Sequence, residues 1–373
     1  MRVLIAAGGT GGHIYPGIAV AKEIMRRDPL SVVKFVGTVR GLETRLVPKA
    51  GFELLIIESA GLKNVSLMAR VRGLLLLPKS IFAARGLIRG FHPDIAIGAG
   101  GYVSGPVLLA ASLMNVPTMV MDSNALPGWT NRVLARWVDK AAVSFAEALP
   151  YFRGKGVLTG NPVRSEFFEI PARQRDGAHI SLLVFGGSQG ARAINEAMIA
   201  ALPGLGSQRE SLQVTHQTGE SDFEKVRRGY EDAGWQDRVE VRPYIDDMVS
   251  EFARADLIIS RAGATTSAEL VAAGKAAIMI PFPLAADDHQ RKNAEALQAA
   301  GAARMILQKE LSGQRLVKEI ASLIAAPEQI DQMESASRKL ARRDAATATV
   351  NLMEELVKGR RQKAEGRKQK AGQ

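Results

Sequence analysis

VLIAAGGTGG, residues 3–12, is an apolar run that empties directly into a glycine-rich turn. ISLLVFGGSQG, residues 180–190, repeats the pattern. Gly8, Gly9 and Gly12 align with Gly186, Gly187 and Gly190, and Thr10 aligns with Ser188, about half of the 373-residue chain apart. This period is far longer than the roughly 20–50 residues of solenoid repeats, so it predicts two similar domains in tandem. An apolar strand that turns on glycines into a helix brings backbone N–H groups and the positive end of the helix toward an anion.

Working outward from these turns, each half alternates short apolar strands with amphipathic helical patterns. Strands are expected at Val32–Val36, Leu54–Ile57, Asp94–Ile97, Thr118–Met121 and Ala141–Ser144. In the second half they fall near Leu212–Gln217, Arg238–Arg242, Leu257–Ser260 and Ala276–Ile280. A helix is expected over Pro16–Arg27, with its proline early in the first turn. Such alternation with wholly apolar strands predicts an α/β fold of two parallel, doubly covered sheets. Ligands then bind beyond the carboxyl ends of the strands, in a cleft between the halves. The turn residues Gly160-Asn161-Pro162 mark the boundary, giving domains 1–161 and 162–339.

Neither turn is a dinucleotide fingerprint. G-x-G-x-x-G from Gly9 would need glycine at Ile14, and the second strand ends in Val36, Gly37 and Thr38 rather than an acid. No Walker A sequence occurs. Zero Cys excludes a disulfide framework, an iron–sulfur cluster and thiolate zinc sites. The opening residues lack the long apolar core of a signal peptide. Ile95–Met121 carries no charge, but its glycines and prolines predict strand, turn, helix and strand rather than a membrane span.

GGTGGHIYPGIAVAKEI, GLETRLVPKAG, GGYVSGP, GNPVR, GGSQGA, IDDM, RAGATTSAEL and PFPLAADDHQRKNA follow one another in this order. Together they resemble the MurG family of bacterial UDP-N-acetylglucosamine:lipid I N-acetylglucosaminyltransferases, over Met1 to about Leu356. The resemblance implies the GT-B fold, two Rossmann-like domains facing across a cleft, with a final helix over about 340–357 returning to the first domain. It implies inverting transfer of N-acetylglucosamine (GlcNAc) from UDP-GlcNAc to the 4-hydroxyl of N-acetylmuramic acid in undecaprenyl-linked lipid I. Cell-wall synthesis or division proteins are further partners it suggests.

Residue by residue, the resemblance makes His13 the general base, an imidazole being able to exchange a proton near neutral pH. Donor binding falls to Thr10, Gly11, Gly12, Asn124, Arg164, Ser188, Ile245, Ala264, Thr265, Thr266, Glu269, Gln290 and Asn293. Of these, Glu269, expected in the first turn of a helix, suits the two ribose hydroxyls, which a carboxylate can accept. Ile245 meets uracil through its backbone, and Asn124, Gln290 and Asn293 read sugar hydroxyls. Acceptor binding falls to Gly8, Gly9, Gly100, Gly101, Tyr102 and Ser104, which serve the lipid diphosphate. His289 is a secondary candidate beside Asp287 and Asp288, while His92, His179 and His216 read as structural. Adjacent Asp287 and Asp288 lack a third ligand, so no essential metal and no other cofactor is expected. One departure stands out. Where the family commonly has His-Glu-Gln-Asn, this chain has Met121-Asp122-Ser123-Asn124, so no catalytic role is given to Asp122.

Charge separates into two blocks. The chain has 49 Lys and Arg against 38 Asp and Glu, a net +11. Residues 61–90 hold six basic residues and no acid, and 358–373 hold seven and one, leaving the remainder near neutral. The tail, 358–373, reads as disordered. In 61–90, Arg70, Arg72, Lys79, Arg85 and Arg89 interleave with apolar residues such as Leu75 and Phe82. This predicts attraction to an anionic membrane surface. The resemblance implies a peripheral place on the cytoplasmic face of the cell membrane. No aromatic-rich basic motif supports a nucleic-acid partner, aromatic residues being 5% of the chain. Two alternatives remain: a glycosyltransferase using another lipid such as diacylglycerol, or a non-catalytic nucleotide-binding membrane scaffold.

Overall fold

The computed structural model describes residues 1–9, 11–39, 41–59, 67–173, 179–187 and 189–371; for 67–75, 286, 361, 363, 364 and 366–371 it describes the backbone alone. The chain divides into two compact units, Met1–Val163 with Asp344–Gln373, and Arg164–Arg343.

The first unit runs β1 (Arg2–Ala7), α1 (Gly11–Arg27), β2 (Val32–Gly37), α2 (Glu43–Lys49), β3 (Glu53–Ile56), α3 (Leu67–Phe91), β4 (Ile95–Gly100), α4 (Ser104–Leu113), β5 (Thr118–Asp122), α5 (Trp129–Leu134), β6 (Lys140–Val143) and β7 (Gly156–Leu158). The second runs β8 (Ile180–Phe185), α6 (Arg192–Ala201), β9 (Leu212–Gln217), α7 (Phe223–Asp232), β10 (Val239–Arg242), α8 (Met248–Arg254), β11 (Leu257–Ser260), α9 (Ala264–Ala273), β12 (Ala276–Met279), α10 (His289–Ala299), β13 (Ala303–Met305), α11 (Gly313–Ile324) and α12 (Pro327–Leu340). The last helix, α13 (Ala345–Ala371), belongs to the first unit.

All strand pairs are parallel. The orders are β3-β2-β1-β4-β5-β6-β7 and β10-β9-β8-β11-β12-β13. In each unit the chain steps outward twice from its first strand and then crosses to that strand's other side. The topological switch points therefore lie between β1 and β4, and between β8 and β11. Val3, Leu4, Ile5, Ala6 and Ala7 are fully buried, because helices cover both faces of the sheet. Val3 and Ile5 face the core of α1 and α13, and Leu4 and Ala6 face that of α3 and α4.

Several elements depart from expectation. α1 begins at Gly11, so Pro16 sits inside it and costs one backbone hydrogen bond rather than opening the helix. β7 and β13 are three-residue edge strands, too short for an apolar pattern to announce. The C-terminal helix starts at Ala345 and continues to Ala371, so backbone expected to be disordered from 358 is helical. Its first half is apolar on one side: Val350, Leu352, Met353 and Val357 are buried with β1 and α1. Arg27 ties it down through Asn351 Oδ1 (2.7 Å) and the Thr347 carbonyl (3.0 Å), and Arg360 reaches Asp139 (2.8 Å).

Candidate active site

At the first switch point the β1–α1 turn packs on the β4–α4 turn. Gly9, Gly100 and Gly101 have φ of +89°, +120° and +80°, a region that side chains rarely adopt. A Cβ on Gly101 would lie 2.2 Å from the Gly8 carbonyl oxygen, and one on Gly100 would lie 2.3 Å from the His13 ring. Glycine here is a condition of contact between the two turns. Ser104, fully buried, accepts from Gly100 N (3.0 Å) and lies 3.0 Å from the Ala6 carbonyl. It joins β1 to β4 rather than facing a ligand.

His13 is the third residue of α1. Its Nδ1 lies 3.2 Å from the Gly8 carbonyl. A carbonyl oxygen only accepts, so Nδ1 carries the hydrogen and the neutral ring holds its lone pair on Nε2. The expected diphosphate ligands Gly8 and Gly9 have amides engaged inside the protein: Gly8 N donates to Gly100 O (3.3 Å) and Gly9 N to Glu43 Oε2 (2.9 Å). With Gly100 N on Ser104, these three amides brace the turns. Gly11 and Gly12 form the partly exposed start of α1, and Tyr102 is 55% exposed. Thr10 and Ser188 lie outside the described residues.

Glu43 carries no role in the resemblance, although it stands in GLETRLVPKAG. It is fully buried and also accepts from Thr38 N (2.8 Å) and Thr38 Oγ1 (2.9 Å). Burial alone would raise its carboxyl. The N–H donors of Thr38, its own amide and Gly9, with the Thr38 hydroxyl, outweigh burial and hold it below the ordinary range.

Asp122, in the family's Glu position, is buried. It accepts from Asn124 N (3.0 Å), Gly128 N (3.1 Å) and Asn131 Nδ2 (2.8 Å). It shapes the loop that holds Asn124.

At the second switch point the β8–α6 turn packs on the end of β9. A Cβ on Gly190 would lie 1.8 Å from the Thr218 carbonyl, and one on Gly219 2.2 Å from that of Gln189. Gln217, the last residue of β9, donates to Gly187 O (2.9 Å) and accepts from Ile245 N (2.8 Å). The Ile245 N–H is thus held by Gln217. Beneath lies a buried network: Tyr230 O–H to His216 Nδ1 (3.0 Å), His216 Nε2 to Asn195 Oδ1 (3.1 Å), and Asn195 Nδ2 to Thr218 O (3.0 Å) and to the Asp222 carboxylate (3.1 Å), which pairs with Arg192. Burial drives His216 down to about 3, so the ring stays neutral. His216 is structural, as its sequence position suggests.

α9 starts at Ala264 after Gly263, with neither a side-chain cap nor an acid in its first turn. Its positive end lies beyond β11, and Thr265 Oγ1 is buried there without a partner among the described residues. Glu269 lies one turn further in than expected. Burial pushes its carboxyl up to about 7, against the pull of Arg164, whose Nη2 is 3.3 Å away. Arg261, which sequence reasoning passed over, donates to Ile280 O (3.2 Å) and Gln308 Oε1 (2.8 Å). Burial lowers it to about 10, so it keeps its charge near neutral pH. Asn293 is fully buried and donates to Ala262 O (3.1 Å), bracing the β11–α9 turn instead of reaching outward for a sugar hydroxyl. Gln290, partly exposed, accepts from Phe282 N (3.0 Å). Asp287 and Asp288 both have φ near +55° and form the bend into α10. No group of three His, Cys, Asp or Glu able to hold a metal occurs among the described residues.

Of the expected membrane residues, Arg70, Arg72 and Leu75 lie on the described backbone of α3 only. Further along, Ser80, Ala84, Ile88 and Phe91 are buried, while Lys79, Phe82 (77% exposed) and Arg89 face outward and Arg85 is partly exposed. Lys79 pairs with Glu58 (2.6 Å) at the surface. No helix among the described residues is long and apolar enough to cross a membrane.

Two doubly wound units, each opening its first strand into a glycine turn, have the GT-B architecture, and the family models make the chain a glycosyltransferase of that class. Residues 3–143 match the glycosyltransferase family 28 N-terminal domain, and 181–349 match its C-terminal domain. A Geotalea uraniireducens (strain Rf4) relative is 47% identical over 95% of this chain and 98% of its own. An Anaeromyxobacter sp. (strain Fw109-5) relative is 46% identical over 96% and 94%. Both are named UDP-N-acetylglucosamine--N-acetylmuramyl-(pentapeptide) pyrophosphoryl-undecaprenol N-acetylglucosamine transferase. The crystal structure of Acinetobacter baumannii MurG superposes with a TM-score of 0.78 at 31% identity, covering 95% of this chain and 99% of that one. The chain belongs to the MurG family.

Proposed function

We infer that this chain transfers GlcNAc from UDP-GlcNAc to the 4-hydroxyl of N-acetylmuramic acid in lipid I, yielding lipid II. The observation that carries this is identity of 46–47% along essentially the whole length of relatives so named. In the reaction the acceptor oxygen attacks the anomeric carbon, and its proton passes to His13 Nε2. The bond from that carbon to the diphosphate breaks, and UDP leaves with the electron pair. Inversion follows from a single displacement.

In the Arg164–Arg343 unit, the amino end of α9 and the Arg261 charge meet the growing negative charge on UDP. Thr265 and Thr266 give hydroxyls to the diphosphate and sugar. Glu269, as its carboxylate, accepts the ribose hydroxyls, with Arg164 beside it. Gln217 sets Gly187 and Ile245 at the height the nucleotide needs, and Gln290 reads the sugar. In the Met1–Val163 unit, Gly11 and Gly12 at the start of α1 and Asn124 serve the donor, and Tyr102 borders the acceptor diphosphate. The reading assigns no resident metal, so turnover should persist in EDTA.

Work on a lipid-linked acceptor places the enzyme peripherally at the cytoplasmic face of the cell membrane. The outward Lys79, Phe82, Arg85 and Arg89 of α3 suit an anionic surface. Liposome flotation tests this: binding that ignores salt and lipid charge removes the electrostatic part.

The deciding experiment incubates labelled UDP-GlcNAc with lipid I and, separately, with diacylglycerol. Label in lipid I alone is expected. Label in diacylglycerol makes the chain a glycolipid synthase, and label in neither makes it a scaffold.

A further inference from the structure

One peptide group in the β1–α1 turn has a strong partner on each side. Its N–H, from Gly9, donates to Glu43 Oε2 at 2.9 Å. Its C=O, from Gly8, accepts from His13 Nδ1 at 3.2 Å. Carboxylate, peptide and imidazole thus form a single chain of hydrogen bonds.

The carboxylate has a purpose-built seat. A Cβ on Gly37 would lie 2.5 Å from Glu43 Cγ, one on Gly41 1.8 Å from Oε2, and one on Gly8 3.1 Å from Oε1. Gly9 N, Thr38 N and Thr38 Oγ1 all donate to the side chain. Two of the three, the Gly9 and Thr38 N–H groups, can only donate, so the seat suits an ionised carboxylate.

We propose that Glu43 is a positioning residue for His13, acting through the Gly8–Gly9 peptide to hold the imidazole as its Nδ1–H form with Nε2 as the proton acceptor. This rests on the reading of His13 as the base. Amide resonance links the two ends of the peptide. A negative charge on the N–H side draws electron density onto the carbonyl oxygen, and hydrogen bonds in series strengthen one another. The Gly8 carbonyl then holds Nδ1–H more firmly and stabilises the imidazolium formed when Nε2 takes the proton. In catalytic triads a carboxylate does this by direct contact. Here the peptide stands between them, so the carboxylate cannot itself take the ring proton. Other titratable groups at this corner are Tyr15 on α1, Tyr102 after β4 and Asp122 at the end of β5, the last held by three N–H donors.

The test is nitrogen-15 NMR of the imidazoles in the full-length protein, with the His13 signals identified by their loss in His13→Ala. The neutral wild-type ring should be protonated on Nδ1. In Glu43→Gln the tautomers should mix and His13 should titrate at lower pH. The acidic limb of the kcat profile should move the same way, kcat should fall tenfold or more, and the KM for UDP-GlcNAc should hold. A wild-type ring protonated on Nε2 overturns the proposal, whether or not Glu43→Gln folds. So does a Glu43→Gln protein that loses activity while tautomer and pH limb stay put, since that is a purely structural role. Failure of the base reading is separate: it would show as near-full turnover in His13→Ala.

Discussion

The two glycine turns begin alike in sequence and end differently in chemistry. The turn after β1 sits on Gly100 and Gly101, carries His13 in its helix and rests on the buried carboxylate of Glu43. The turn after β8 sits on Thr218 and Gly219 and rests on side-chain amides, Gln217 and an Asn195 tied to His216, Tyr230 and the Asp222 carboxylate. A carboxylate bears directly on the first turn through the Gly9 N–H, while under the second the carboxylate stands one amide removed, behind Asn195.

Substitution of the chemical group gives the largest contrast. His13→Ala should lower kcat about 10²–10⁴-fold with the donor KM near its original value. Glu269→Ala should raise the donor KM with a smaller change in kcat. Steady-state kinetics with varied UDP-GlcNAc separates them, and the reverse pattern would exchange the roles of the two turns.

Acid should distinguish the two supports next. His216 titrates near 6.5 when unfolded and about 3 when folded, so the unfolded chain binds the extra proton. Its contribution is whole above pH 6.5 and is lost as pH falls toward 3, with a slope of up to ~1.4 kcal/mol per pH unit. Denaturant melts of the Arg164–Arg343 unit across that window should show the slope.

The seats themselves should prove equally intolerant. Gly190→Ala and Gly101→Ala each drive a Cβ into a backbone carbonyl and should cost more than about 2 kcal/mol. Gly51→Ala, with positive φ but open space, should cost only ~1 kcal/mol. Chemical denaturation ranks the three.

The mildest test is the pH dependence of donor binding. Glu269 is neutral below about 7 and a carboxylate above it. The donor KM should therefore climb as pH falls below 7, by at most tenfold per unit, and Glu269→Gln should flatten the curve.

Much of this was legible in the sequence. Continuous apolar runs such as Val3–Ala7 can only be doubly covered strands, and the repeated glycine turn announced two units. His13 and Glu269 were marked by motif. What escaped were groups whose work is inward. Glu43 sits in a family motif, yet only its hydrogen bonds to Gly9 and Thr38 show that it supports a turn. Gln217 looked like the polar end of a strand. Asn293 looked available, but a one-dimensional pattern does not record which polar groups are already satisfied by backbone elsewhere. The reach of α13 was hidden because its second half has the composition of a solvated tail.

The sequence position of α13 also bears on the order of synthesis. β1 leaves the ribosome first, but the side chains that cover it, Val350 and Met353 among them, leave nearly last. The whole Arg164–Arg343 unit is translated in between and has its own core, so it can fold while the first unit still waits for its final helix. A chain stopped after Arg343 would keep every residue assigned to catalysis and yet expose the apolar face of β1 and α1.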